Sequence, residues 1–93
     1  MNKQEVENLL IEVVCEIQEM SGRDYVEVTS DSKPLLDMPG FDSLNGVEAT
    51  VDVLSKLNLE LDIVSIFANE IGAISIGDAA EIVISHMTHK KGT

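Results

Sequence analysis

The segment Gly40-Phe41-Asp42-Ser43-Leu44 contains the side chain best placed to undergo chemistry, the hydroxyl of Ser43. Asp42 is a favoured helix N-cap residue, so the pattern predicts that Ser43 lies in the first turn of a helix that follows a loop. Free backbone N–H groups and the helix dipole favour a phosphate diester at such a position. The flanking residues are small or turn-forming, so another protein could reach the serine. An arbitrary Asp-Ser-Leu tripeptide is usually only a helix start, and its context decides the interpretation here.

Other arrangements that catalyse reactions or bind metals are poorly represented in the chain. His86 and His89 have no third ligand nearby in the sequence, so they do not predict a zinc site. The acidic residues between positions 31 and 42 do not follow the calcium-loop pattern, because Leu44 stands where a ligand would be needed. A chain of 93 residues has one small core, which leaves little room for a dry acid–base pair. We therefore expect no enzyme activity, no catalytic residue and no metal.

Cys15 is the only cysteine, which excludes a disulfide within the chain and is typical of a reducing cytoplasm. The helical pattern places Cys15 away from the apolar face of the first helix. The side of that helix opposite the apolar face carries Glu5, Glu12, Glu16 and Glu19, which disfavour a thiolate, so we expect an unreactive thiol.

Composition and charge narrow the classes of partner. Six basic and 17 acidic residues give a net charge of −11, which argues against nucleic acid and anionic membranes and favours partners with basic faces. The N-terminus does not read as a signal peptide, and no apolar run approaches the roughly 18 residues of a membrane span. We expect residues 1–93 to form one cytoplasmic domain, monomeric and without stable membrane association.

Apolar periodicity predicts an all-α fold, a small four-helix bundle with a long loop between the first and second helices. The first helix is predicted from about Lys3 to Met20, with Asn2 and Glu5 close to a capping box. The second is predicted to begin at Ser43 and the third to cover 63–71. The fourth is predicted to run from 76 to about 87, and the tail 89–93 to be frayed.

The motif around Ser43 has further context in Val47-Glu48 and in the downstream run Ile76-Gly77-Asp78-Ala79. Together with the length, the acidity and the helical pattern, these residues resemble the acyl carrier proteins and related carrier domains over nearly the whole chain. The resemblance implies that Ser43 carries 4′-phosphopantetheine, added from coenzyme A by a phosphopantetheinyl transferase that uses magnesium. The arm would hold acyl intermediates as thioesters. It would present them to acyl-transferring, condensing or other acyl-processing enzymes of fatty acid, polyketide or related biosynthesis.

The resemblance also implies roles for two sets of side chains. Partner enzymes would dock on outward positions of the second helix, namely Asn45, Glu48, Ala49, Asp52, Val53 and Lys56. An acyl chain would enter an aliphatic interior lined by Val47, Val51, Leu54, Val64, Phe67, Ile71 and Ile82.

Two departures from the family pattern favour a specialised carrier with its own partners. The acids that usually follow on the second helix are replaced by Leu54-Ser55-Lys56-Leu57, and the segment 62–75 is long and apolar. Two alternatives stay open. One is a small acidic helical interaction domain without a prosthetic group, and the other is an aminoacyl or peptidyl carrier.

Overall fold

Helices make up the regular structure of the protein. The computed structural model describes the backbone of residues 1–91 and the side chains of residues 1–87. Within this part of the chain four helices follow one another: α1 Lys3–Met20, α2 Pro34–Asp37, α3 Ser43–Leu57 and α4 Ile76–Lys91. Among residues 1–91 the β-structure is limited to one isolated bridge, between Ala68 and Ala73. The predicted small all-α fold is confirmed.

Capping side chains set the beginnings of α1 and α3. The Asn2 Oδ1 accepts from the Glu5 N–H at 2.9 Å, and the Asn2 N–H donates to Glu5 Oε1 at 2.9 Å, which forms a capping box. Asp42 Oδ1 accepts from the Asn45 N–H at 2.9 Å in the same way. At its other end α3 stops at Asn58, which adopts the left-handed conformation with φ 55°, a common way for a helix to end. Both predicted N-termini are confirmed.

The last helix begins where the sequence predicts and extends further. Ser75 Oγ accepts from the Asp78 N–H at 3.1 Å, so Ser75 satisfies a free N–H group of the first turn. The helix continues past Met87 to Lys91, so the backbone at 89–91 is helical where fraying was predicted. The same prediction for residues 92–93 lies outside the described residues.

The segment between α3 and α4 does not form the helix that was predicted for 63–71; that prediction is wrong. The Ile66 N–H donates to the buried Thr50 Oγ1 at 2.9 Å, and Thr50 Oγ1 donates to the Gly46 carbonyl at 2.8 Å. The Ile74 N–H donates to the Phe67 carbonyl at 3.0 Å. These non-helical partners satisfy backbone groups that a helix would have paired internally.

The connection between α1 and α3 contains a helix that was not predicted for this loop. This is the four-residue helix α2, which begins with Pro34 at a position where a missing N–H is tolerated. The Ile76 and Gly77 N–H groups donate to the carbonyls of Ser32 and Ser30, each at 2.8 Å. The connection is therefore bound to the start of α4.

The core forms around α1, which contacts both α3 and α4. The largest fully buried side chain of the core is Phe67. Its ring meets that of Phe41 edge-on at a centroid distance of 6.2 Å, a favourable arrangement for two aromatic rings. The side chains buried from α3 are small or branched: Asn45, Gly46, Ala49, Thr50, Val53 and Leu54. None of the helices within residues 1–91 has the length and apolarity needed to cross a membrane.

Candidate functional site

Ser43 is the first residue of α3, and its side chain is exposed. The preceding residue, Asp42, has extended backbone dihedrals and caps the helix through the Asn45 N–H. The first N–H groups of a helix have no intrahelical partner, and the dipole is positive there. The Ser43 hydroxyl thus lies at the surface beside a positive helix end, where an attached phosphate diester would be stabilised.

The turn before Ser43 is anchored in the core. The Phe41 ring is 3% exposed and packs against Phe67, and the Phe41 N–H donates to the Met38 carbonyl at 3.1 Å. Gly40 has φ +75°, and a Cβ added there would lie 2.8 Å from Arg23 Nε. Both the positive φ and the close contact favour glycine at this position. The turn therefore places the exposed Ser43 two residues after a buried aromatic ring.

A polar cluster of Gln18, Arg23 and Asn45, here named the Arg23 cluster, lies beside this turn. Arg23 Nη1 donates to Gln18 Oε1 at 3.0 Å and to Asn45 Oδ1 at 2.7 Å. Gln18 Nε2 donates to the Pro39 carbonyl at 2.9 Å. Sequence reasoning missed this cluster. The available signal was that Arg23, the single arginine of the chain, follows the glycine that ends α1.

The predicted docking residues divide between the surface and the interior. Glu48 and Lys56 are exposed and Asp52 is half-buried, with 3.8 Å between Lys56 Nζ and Asp52 Oδ1. Ala49 and Val53 are fully buried, so in this fold they face the core and not a partner. Asn45 is 8% exposed and belongs to the Arg23 cluster. Helical spacing alone placed these three on the wrong side.

Exposed apolar side chains lie on the outer face of α3. Leu44, next to Ser43, is 66% exposed, and Val51 is 63% exposed. With Glu48, they give α3 a mixed apolar and acidic surface near Ser43.

The seven predicted cargo-lining residues do not share one interior. Leu54 and Phe67 are buried, and Val47 and Ile82 are half-buried. The other three lie at the surface: Val51, Val64 at 74% exposure and Ile71 at 96% exposure. Val64 and Ile71 were assigned to a face of a helix that does not form, which is why their predicted orientation is wrong.

A pocket of about 250 Å³ borders the Arg23 cluster, between α1 and the connection that follows it. Its lining comprises Cys15, Gln18, Glu19, Arg23, Tyr25, Val26 and Met38. Burial raises the pKa of the Cys15 thiol, which favours the neutral form. The predicted cargo-lining residues are not part of this wall.

Metal-binding geometry is a further feature on which the side chains of residues 1–87 bear. They include no group of three or more His, Cys, Asp or Glu residues that could hold a metal ion. The His86 ring Nδ1 lies 2.9 Å from the Ile82 carbonyl within α4, and His89 lies outside the described side chains.

Comparison of the chain with protein-family models, with curated proteins and with solved structures finds no match.

Proposed function

We propose that the protein is a carrier that holds acyl intermediates as thioesters on a 4′-phosphopantetheine arm attached to Ser43 Oγ. The observation that carries this proposal is the position of Ser43, exposed at the first residue of α3 on a turn that Phe41 anchors in the core. A carrier needs this combination, because the serine must be reachable by other proteins while its backbone stays in place.

The residues around Ser43 fit the group chemically. The positive end of α3 favours the negative charge of a phosphate diester on the hydroxyl. When bound, the arm supplies a terminal thiol that forms the thioester. Asp42 acts as a helix cap. The base that activates the hydroxyl is therefore assigned to the phosphopantetheinyl transferase, which takes the arm from coenzyme A.

The exposed face of α3 supports partner docking beside the arm. Leu44 and Val51 offer apolar contact, and Glu48 offers a negative charge to a basic partner surface. Exposed charge pairs are worth about 0.2–1 kcal/mol each, so Glu48 would contribute to orientation more than to affinity. The partners proposed are the transferase and acyl-transferring, condensing or other acyl-processing enzymes.

Replacement of Ser43 tests the site. Purified protein is incubated with coenzyme A, magnesium and a broad-specificity transferase, and its intact mass is measured. We expect the unmutated chain and Ser55→Ala, a change of another exposed serine on α3, to gain one phosphopantetheine. Ser43→Ala should gain none. Its free energy of unfolding should change by less than about 0.5 kcal/mol, because the Asp42 cap is retained.

The opposite results would contradict the proposal in distinct ways. Loading of Ser43→Ala would show that the arm is attached to a residue other than Ser43. No loading of the unmutated chain, while an authentic carrier is loaded in the same tube, would favour the interaction domain without a prosthetic group. Identifying the group bound as a thioester on protein purified from its own cells would distinguish an acyl cargo from an aminoacyl or peptidyl cargo.

A further inference from the structure

Arg23 connects three parts of the chain that meet beside Ser43. Its Nη1 donates to Gln18 near the end of α1 and to Asn45 in the first turn of α3. Its side chain also lies against Gly40, so close that a Cβ added at Gly40 would come within 2.8 Å of Nε. A single guanidinium thus contacts α1, the turn 38–42 and α3.

The acceptors of Arg23 are themselves bound to the turn. Gln18 Nε2 donates to the Pro39 carbonyl at 2.9 Å, and Asn45 Oδ1 also accepts from the Asp42 N–H at 3.3 Å. Gln18 and Asn45 are only 5% and 8% exposed. Loss of Arg23 would therefore leave two nearly buried side-chain oxygens with one charged donor fewer, which costs more than loss of an exposed contact.

We propose that Arg23 is a positioning residue for modification of Ser43. It acts through Asn45 and Gln18 to hold the turn 38–42 in one orientation, so that the Ser43 hydroxyl meets the transferase in a reactive geometry. This inference rests on the proposed function, since it concerns the same serine. Small displacements of a reacting group lower the rate of reaction within the bound complex. We therefore expect loss of Arg23 to change kcat more than KM.

The test compares Arg23→Met with Lys33→Met, which removes one positive charge from an exposed side chain. We expect Arg23→Met to lower kcat for Ser43 loading about tenfold, an effect within the range that loss of its two charge-assisted hydrogen bonds allows. Lys33→Met should stay within about twofold of the unmutated chain. Arg23→Lys, which keeps the charge and loses the planar fork, should fall in between and provides a variant with less disturbed packing.

A double-mutant comparison separates positioning from general destabilisation. If Arg23 acts through Asn45, the double variant Arg23→Met/Asn45→Ala should load no more slowly than the slower single variant. Independent effects would multiply instead. Equal kcat for Arg23→Met and the unmutated chain, or a change confined to KM and shared by Lys33→Met, would overturn the inference.

Hydrogen–deuterium exchange gives a readout that needs no loading. The hydrogen-bonded amides of Phe41, Asp42 and Asn45 should exchange faster in Arg23→Met, while those in the middle of α4 should keep their protection. Unchanged exchange at Phe41, Asp42 and Asn45 would overturn the inference even if loading is slow. If the unmutated chain takes up no arm, the proposed function fails, and the exchange result still decides whether Arg23 holds the turn.

Discussion

At the residue scale, the side chains next to Ser43 have structural tasks that determine what each can contribute to chemistry. Asp42 caps α3, and Asn45 accepts a hydrogen bond from Arg23 and donates one to Glu48 Oε1 at 3.2 Å. A serine becomes a strong nucleophile when an adjacent base takes its proton. Ser43 presents an exposed hydroxyl at the start of α3, as the proposed attachment of the arm requires.

Cys15 provides a prediction about pH. Burial raises the pKa of its thiol, so the folded chain favours the neutral form. We expect Cys15 in the folded protein to react more slowly with a thiol reagent at pH 8 than in the chain unfolded in guanidinium chloride. The reaction can be followed by absorbance. Equal rates in the two states would contradict the prediction.

The raised pKa of Cys15 also makes the free energy of unfolding depend on pH. Because the pKa of Cys15 is higher in the folded state, the unfolded chain loses its thiol proton first as the pH rises. The contribution to the free energy of unfolding is thus present below the ordinary thiol pKa of about 8.5 and is lost above it. Cys15→Ser removes this contribution. The free energy of unfolding of the unmutated protein, relative to that of Cys15→Ser, should therefore fall between pH 7 and pH 10.

At the element scale, α3 shows why its buried face differs from the predicted one. The apolar spacing of Leu44, Val47, Val51 and Leu54 predicts that these residues form the inner face of the helix. The structure buries Gly46, Ala49, Thr50 and Val53 instead, together with Leu54. A Cβ added at Gly46 would lie 3.2 Å from Ser65 Oγ and 3.5 Å from Leu35 Cδ2, so small residues on this face allow close approach of neighbouring segments.

Truncation of two valines on α3 tests the corrected face. Val53 is fully buried, whereas Val51 is 63% exposed. Val53→Ala should lower the free energy of unfolding by about 2–3 kcal/mol, through lost burial and a residual cavity. Val51→Ala should change the same free energy by less than about 0.5 kcal/mol, as is usual for a surface substitution. Urea unfolding followed by circular dichroism measures both. A larger loss for Val51→Ala than for Val53→Ala would support the buried face predicted from the sequence instead.

At the scale of the whole molecule, the net charge is −11, and only two ion pairs form among the side chains of residues 1–87. Among the described side chains, Lys3 Nζ lies 3.1 Å from Glu81 Oε1, and Lys56 pairs with Asp52. The neighbouring Glu81 raises the pKa of Lys3. These few exposed contacts leave net repulsion among the carboxylates, which disfavours the compact state.

Salt should therefore stabilise the protein. Raising ionic strength from 0.01 M to 0.15 M shortens the screening length from about 30 Å to about 8 Å. We expect a gain on the order of 1 kcal/mol in the free energy of unfolding, the sum of several weak exposed interactions. Glu12→Gln/Glu16→Gln, which neutralises two exposed carboxylates on α1, should show a smaller gain. A loss of stability with salt would contradict this account of the charge balance.

Features that depend on neighbouring residues can be predicted from the sequence alone. The beginnings of α1, α3 and α4 follow from Asn2, Asp42 and Ser75, because each cap bonds an N–H group three residues away in the chain. The place of Ser43 at the start of α3 is local for the same reason. Composition also excluded a disulfide, since a single cysteine cannot form one within the chain.

Features that depend on distant partners cannot be predicted from local sequence patterns and follow from contacts in the folded chain. The run 63–71 has helical spacing, yet Thr50, 16 residues from Ile66, takes the Ile66 N–H and holds the segment in another conformation. The Arg23 cluster joins residues 22 positions apart, a pairing that no local pattern encodes. The inner face of α3 depends on how closely its neighbours approach, and apolar spacing cannot distinguish a buried valine from an exposed one two positions away.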